Sequence, residues 1–362
     1  MVANSSITGL PRRVLIVWYS PQPPLADSLA HAFARRGAAT RVFYSWPCNT
    51  LFDRLIIHTI NHHAHNLRLL PKSVNLFEGH PKSHKEWRSA QLLHLARDFK
   101  PDLVIITGVQ RFKPEVLREL QETSTVFFWF TESEKRFPEI EGELPFYHHL
   151  YMISSETRER AENLGFANVS LMQHAVDPSL FRPLEAPQNL DWCFVGQWHE
   201  RRQKYVEGLA RVSKNFVIYG TRWRKHNYFK PSIFMRIKDT GIWGEDVVSL
   251  YNRTRVVINI SVWGDEARGG KGVNMRLLEV PACRACLLTD FSRDADKLLK
   301  AGEEFVSVAN LEEMQEKLAG LLAHPEERLR IAQAGYEKAR KVRNYDDLVN
   351  QFLADWAARP GR

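Results

Sequence analysis

Two doubly wound α/β domains joined by a proline-bearing stretch are the fold class this sequence predicts, and three observations predict it. Short apolar runs rich in β-branched and aromatic residues recur between longer stretches with helical spacing. The runs are continuously apolar instead of alternating, as expected for parallel strands covered by helices on both faces. The series is interrupted once, at PSLFRPLEAP (178–187), whose prolines can join neither a helix interior nor a central strand. The boundary is therefore expected near residue 185, with an N-terminal domain over 1–185 and a C-terminal domain over 186–362.

Taken in order, the strands of the first domain are expected at Val14–Tyr19, Arg41–Tyr44, Leu103–Thr107, Val126–Phe130, Leu150–Ser154 and Val169–Met172. Between the first two, Ser28–Arg36 carries Leu29, Ala32 and Phe33 at helical spacing. The second domain repeats the pattern with Trp192–Val195, Phe216–Tyr219, Val256–Ile260, Cys286–Thr289 and Phe305–Val308. From Leu311 to Trp356 the chain reads as helix, with Pro325 opening a new one and Asn344–Asp347 interrupting before an amphipathic last segment, Leu348–Trp356. That last helix is expected to pack back on the first domain. Facing domains of this kind turn the carboxyl ends of both sheets toward one cleft, so function is sought at strand ends.

Composition narrows the partners. Fifty Lys and Arg against 42 Asp and Glu leave a formal charge of +8 in 362 residues, which favours anionic ligands. That excess is too diffuse to favour a nucleic-acid binder. No apolar run approaches the ~18–20 residues of a membrane-spanning helix. The opening MVANSSITGLPRR has no apolar core of secretory type, and four cysteines are too few for a disulfide framework, so the cytoplasm is the expected compartment.

The most informative stretch is VVINISVWGDEARGGKGVNMRLLEVPACRACLLTD (256–290). A strand enters a loop bearing Gly264, Gly269, Gly270 and Gly272, followed by a helix from about Asn274 and a strand ending at Asp290. Such a loop offers unhindered N–H groups to phosphate or sugar hydroxyls, with Asn274 as helix cap, although an ordinary loop has the same composition. It is not a P-loop, because Gly270-Lys271 is followed by Gly272 and not by Ser or Thr.

The run NMRLLEVPACRACLLTD, with WCFVGQWHERR, QHAVDPSLFRP and the tail from EEFVSVANLEEM through HPEERLRIAQAGYEKA, resembles the CgeB-type, family 4-like glycosyltransferases of the GT-B fold over roughly residues 150–350. The resemblance implies that the second domain binds a nucleotide-sugar donor. It implies that Glu279 holds the ribose hydroxyls, a task for which a carboxylate, a pure acceptor, is suited. Asn274 and Arg276 match the polar positions near the phosphate or transferred sugar. In WCFVGQWHERR, Gly196 ends a strand, and Arg201 or Arg202 is placed to grip the diphosphate without a metal. Lys271 joins these cations as a candidate to stabilise the departing diphosphate, and Gly270 and Gly272 to approach the donor. Retention of configuration is implied by the family alone. Two positions depart from its pattern: Lys271 replaces a glutamate of many retaining relatives, and Arg284 replaces the glycine of Ala-Cys-Gly.

In the first half, Glu132 follows the apolar strand Val126–Phe130 and is the candidate base that activates the acceptor; a loop glutamate paired with Lys135 or Arg136 is the alternative. His174 at the domain junction is a candidate donor contact, with a hinge role favoured. Three clusters have plain alternatives. The histidines of HTINHHAH (58–65) lack accompanying carboxylates or thiols for a metal, and Cys283 and Cys286 read as helix end into buried strand. The segment Arg222–Lys238 interleaves cations with Trp223, Tyr228, Phe229 and Phe234, a pattern suited to an anionic membrane surface or to a solvated loop. The reading is a glycosyltransferase with a glycan, lipid-linked glycan, protein or small molecule as acceptor; the alternative is a non-catalytic scaffold with the same fold.

Overall fold

The computed structural model describes residues 10–46, 49–71, 74–262 and 272–359. The chain divides into two units: unit 1 comprises Met1–Met152, Arg160–Met172 and Val349–Arg362, and unit 2 comprises Ile153–Glu159 and Gln173–Leu348.

Unit 1 holds six parallel strands, β1 (Arg13–Trp18), β2 (Ala39–Tyr44), β3 (Leu103–Thr107), β4 (Thr125–Phe130), β5 (His149–Met152) and β6 (Val169–Leu171), in the order β2-β1-β3-β4-β5-β6. Unit 2 holds five parallel strands, β7 (Leu190–Val195), β8 (Phe216–Tyr219), β9 (Thr254–Asn259), β10 (Cys286–Asp290) and β11 (Val306–Val308), in the order β11-β10-β9-β7-β8. Every run expected as a strand folds as one, with ends within two residues of the sequence reading. The continuous apolar pattern has the expected cause. In unit 2, Val257 and Leu287 enter the core on one face of the sheet, while Val256, Ile258, Cys286 and Leu288 enter the core on the other. In unit 1, β3 and β4 are buried along their whole length.

The helices differ more. The first runs Leu25–Ala34 and so begins three residues before Ser28. The tail forms Leu311–Ala323, Pro325–Val342 and Tyr345–Ala357. The interruption expected at Asn344–Asp347 falls at Arg343–Asn344, and Tyr345–Asp347 already belong to the last helix. Asp347 N donates to Asn344 Oδ1 at 3.1 Å and Asn344 N donates to Asp347 Oδ2 at 2.9 Å, a reciprocal cap. Within unit 1, Phe352 of that helix packs against Phe33, Phe127, Trp129 and Tyr151, and Tyr151 Oη donates to Asp355 Oδ2 at 2.7 Å. Between β2 and the helix His84–Phe99, a π-helical turn, Asp53–Ile57, continues into the helix His58–Asn66.

Candidate functional site

The strand order of unit 2 reverses between β7 and β9, so the loops leaving these neighbours diverge, and ligands of doubly wound sheets usually bind at such a point. After β7 the helix Glu200–Val212 begins with His199 as its cap, its Nδ1 accepting from Arg201 N at 3.2 Å, which sets Arg201 and Arg202 in the first turn. Arg201 Nη1 donates to Asp290 Oδ2 at 2.6 Å and also to Ser261 O. Asp290, at the end of β10, accepts Ser261 N on both carboxylate oxygens at 3.0 Å. Arg202 donates through Nε to Ile260 O at 2.9 Å and through Nη1 to Gln197 O at 2.8 Å. The two guanidinium groups thus bind the β7 loop to the end of β9.

Their electrostatics are opposed. Burial works against the Arg201 charge, but Asp290 beside it prevails and raises the pKa. Arg202 is pushed down to about 9, by burial first and then by the neighbouring Arg276 charge. A ligand anion here would meet a cation whose charge is not matched by a carboxylate ion pair among the described residues.

A neutral chain runs beside the arginines. Asn259 Nδ2 donates to Thr289 Oγ1 at 2.9 Å, Asn274 Nδ2 donates to Asn259 Oδ1 at 2.8 Å, and Asn274 Oδ1 accepts from Arg276 N at 3.1 Å. Asn274 thus takes up the N–H of Arg276 at the start of the helix Arg276–Ala282, one residue before Met275, which stands at the N-cap. Arg276 Nε is buried without a hydrogen-bond partner among the described residues. On the same helix Glu279 is only 9% exposed, and no described side chain donates to its carboxylate. Burial raises its pKa to about 7, with Arg276 offsetting part of the effect. The helix ends with Arg284 N donating to Pro281 O at 2.7 Å and Ala285 N to Val280 O at 3.3 Å, the pairing of a Schellman motif. Its left-handed residue is Arg284, at φ 55°, where the family pattern has glycine.

Gly196 lies in the β7 loop, its carbonyl accepting Trp223 Nε1 at 2.7 Å. Gly220 approaches it from β8 at φ 146°, where a Cβ would stand 1.9 Å from Gly196 O; sequence reading did not single it out. Gly272 O accepts Ser292 Oγ at 3.1 Å. Gly264, Gly269, Gly270 and Lys271 lie outside the described residues. His174 is buried in unit 2, and burial lowers its pKa to about 4, so it is neutral near pH 7. Asn259, Ser261, Thr289 and Asp290 were not named as site residues. Their signal was polar side chains at the ends of otherwise apolar strands.

In unit 1 the order reverses between β1 and β3. Tyr19 follows β1, Gly108 follows β3, and Glu132 follows β4 at Thr131, with its carboxylate 3.5 Å from Arg136, the pairing foreseen as the alternative to a base. Arg136 also bonds Glu139 at 3.0 Å. A separate cavity of about 160 Å³, unanticipated from sequence, is lined by Asp53, Asn61, Glu78, His84, Arg88 and Arg111 among others. Among the described residues no three His, Cys, Asp or Glu side chains are grouped to hold a metal. Cys283 and Cys286 are buried free thiols, and burial raises both, Cys286 to about 12. The segment from 222 to 238 folds as two short helices with Trp223, Asn227, Ile233 and Ile237 inward and Tyr228, Phe229 and Met235 outward.

With this geometry in view, residues 200–354 match the family described as glycosyl transferase-like. The chain is 23% identical over 291 residues to the spore protein CgeB of Bacillus subtilis, covering 73% of this chain and 86% of that one. Among solved structures it is similar to sucrose-phosphate synthase of Thermosynechococcus elongatus, with a TM-score of 0.69 and 12% identity over 95% of this chain and 98% of that chain. It is also similar to Anabaena HepE in complex with UDP-glucose, with a TM-score of 0.64 and 12% identity over 95% and 98% of the two chains. A glycosyltransferase of Rickettsia africae gives a TM-score of 0.64 at 11% identity, over 96% and 99%. The fold is that of the GT-B glycosyltransferases, and the chain resembles the CgeB-type proteins among them.

Proposed function

We propose that the protein transfers a sugar from a nucleotide-sugar donor bound by unit 2 to a hydroxyl of an acceptor bound by unit 1, with retention of configuration and without a metal. The observation that carries this reading is Glu279: a buried carboxylate with no donor among the described residues is costly unless a ligand supplies protons, and the two ribose hydroxyls can. Arg202 and Arg276 take the diphosphate, with Lys271, which lies outside the described residues, as the further candidate the sequence offers, while Arg201, held by Asp290, keeps the β7 loop in position. The bond from the anomeric carbon to the diphosphate oxygen breaks with its electron pair on the leaving group. The acceptor oxygen forms the new bond, and its proton passes to Glu132 or to the departing phosphate. Preorganised cations stabilise the leaving charge and oppose no reorganisation during transfer.

A uridine nucleotide is the donor to test first, since HepE is solved with UDP-glucose. Calorimetry with UDP-glucose should show binding that Glu279→Ala weakens by about 2–3 kcal/mol, the scale of hydrogen bonds to a charged group. Unchanged affinity in a folded Glu279→Ala protein would falsify the assignment. Release of UDP that persists in EDTA supports transfer by protein cations; loss restored by Mg²⁺ would count against it. Donor binding with no UDP release over an acceptor panel would favour the scaffold alternative.

A further inference from the structure

The helical segment between residues 51 and 66 is oriented against its own composition. It buries Asp53, Ile57, Asn61 and Ala64, about one residue per turn. Leu51, Phe52, Leu55, Ile56 and Ile60 are exposed, Leu51 to 65% and Leu55 to 56%. An amphipathic helix on a globular unit ordinarily turns its apolar stripe inward. Here polar bonds fix the opposite arrangement. Asp53 Oδ1 accepts His84 N at 2.8 Å, Asn61 Oδ1 accepts Leu76 N at 2.6 Å, and Asn61 Nδ2 donates to Leu76 O at 3.1 Å. The apolar face is thereby held outward.

The rim of this face is cationic. Arg54 lies on the segment itself, Lys82 Nζ lies 5.8 Å from the Phe52 ring, and Arg68, two residues past the helix His58–Asn66, is exposed as well. The acids nearby are buried or paired: Asp53 is buried, Glu78 is 3.6 Å from Lys85, and Glu86 bonds Lys113 at 3.0 Å. Trp46, partly exposed and 5.2 Å from the Tyr19 ring, lines a shallow cavity with Leu51 and Arg54. Apolar side chains ringed by cations and amphipathic aromatics match the boundary between headgroups and acyl chains. No helix among the described residues is long and apolar enough to cross a membrane, so a surface attachment is the form such contact takes. A second copy set on this face would bring one cationic rim against another.

We propose that this face of unit 1 docks on an anionic lipid bilayer, with Leu51, Phe52, Leu55, Ile56 and Ile60 seated below the headgroups and Arg54, Arg68 and Lys82 at the lipid phosphates. The inference does not depend on the transfer reaction. The membrane affinity suggested by the segment from 222 to 238 is thus assigned to a different element. Co-sedimentation of the full chain with vesicles of phosphatidylcholine, alone or with phosphatidylglycerol, tests it. Partitioning should be at least ~10-fold stronger on the anionic vesicles and weaken in high salt. Leu55→Gln with Ile56→Gln should reduce it ~10-fold or more with an unchanged melting curve, whereas Phe229→Gln with Met235→Gln should not. If the first pair unfolds the protein, Leu51→Gln alone carries the same expectation. No partitioning by the wild type, equal partitioning by the Leu55/Ile56 variant, or loss only in the Phe229/Met235 variant overturns the proposal. A concentration-dependent dimer that Leu55→Gln with Ile56→Gln dissociates also overturns it, because a second copy then covers the face.

Discussion

The switch points of the two sheets are built in contrasting ways. In unit 2 the described residues next to the ends of β7, β9 and β10 are tied together: Arg201 and Arg202 bond Asp290 and the carbonyls of Ser261 and Ile260, Ser261 N bonds Asp290, and Asn259, Thr289 and Asn274 extend the network to the next helix. In unit 1 the strand ends carry Tyr19, Gly108 and Glu132, and a long insertion after β2 supplies a polar cavity and an exposed apolar helix. A site for one constant ligand gains from fixed geometry, since ordering costs are met in folding and not on binding. Under the proposed function, recognition of the acceptor falls to these longer connections, where sequence can change without disturbing the sheet.

The strongest way to break this contrast is Asp290→Ala. It leaves Arg201 mostly buried without its carboxylate, and urea unfolding should show a loss of about 3–5 kcal/mol, the scale for stranding one partner of a buried ion pair. A loss below about 1 kcal/mol would mean the unit 2 network is ornamental to stability.

Next is Glu132→Gln. Donor affinity should remain, since Glu132 belongs to unit 1, while single-turnover transfer should fall ~10²-fold, the scale of a lost general base. An unchanged rate would make Glu132 simply the partner of Arg136, and the proton would go to the leaving phosphate.

A smaller effect concerns pH. Burial holds the folded-state pKa of Glu279 at about 7, above its ordinary 4.5, so the folded protein binds more protons than the unfolded chain between these values. Ligand-free stability is therefore fully present below pH 4.5 and declines as pH rises through 7, by on the order of 2 kcal/mol. Glu279→Gln should lack that component of the pH slope in denaturation series, and donor affinity of the wild type should tighten as the carboxylate ionises. A parallel slope in both proteins would remove Glu279 as the titrating group.

The smallest is a gain. Arg284→Gly relieves a left-handed residue at a helix end and should raise stability by up to about 1 kcal/mol, read as a higher urea midpoint.

Much of the fold was legible because parallel strands buried on both faces, as β3 and β4 are, have to be continuously apolar; all eleven strands stood out as short apolar runs, including the partly exposed edge strands β2 and β6. The burial of Glu279 was legible from its apolar neighbours, while the role proposed for it rests on the family resemblance. The partners of Arg201 were not, because Ser261 and Asp290 lie 60 and 89 residues away and only the register of β9 and β10 brings them together. The helix starts at Leu25 and Tyr345 were missed for a local reason, since Pro24 and Asn344 set them and not the apolar spacing. The insertion after β2 went unread apart from its histidines: most of its apolar residues face away from the core, so their spacing pointed to no buried face.

Phe352 has a consequence for how the protein is made. Unit 1 places this ring among Phe127, Trp129 and Tyr151, yet Phe352 is synthesised some 200 residues after them. A ribosome therefore releases all of β7–β11 before the aromatic centre of unit 1 can close. Domains made first commonly finish first, but here the amino-terminal sheet has to wait with part of its interior open while the later one matures. Its exposure to chaperones and proteases lasts for most of translation, and a ribosome-bound chain stalled before residue 349 should remain protease-sensitive in unit 1 while unit 2 is already resistant.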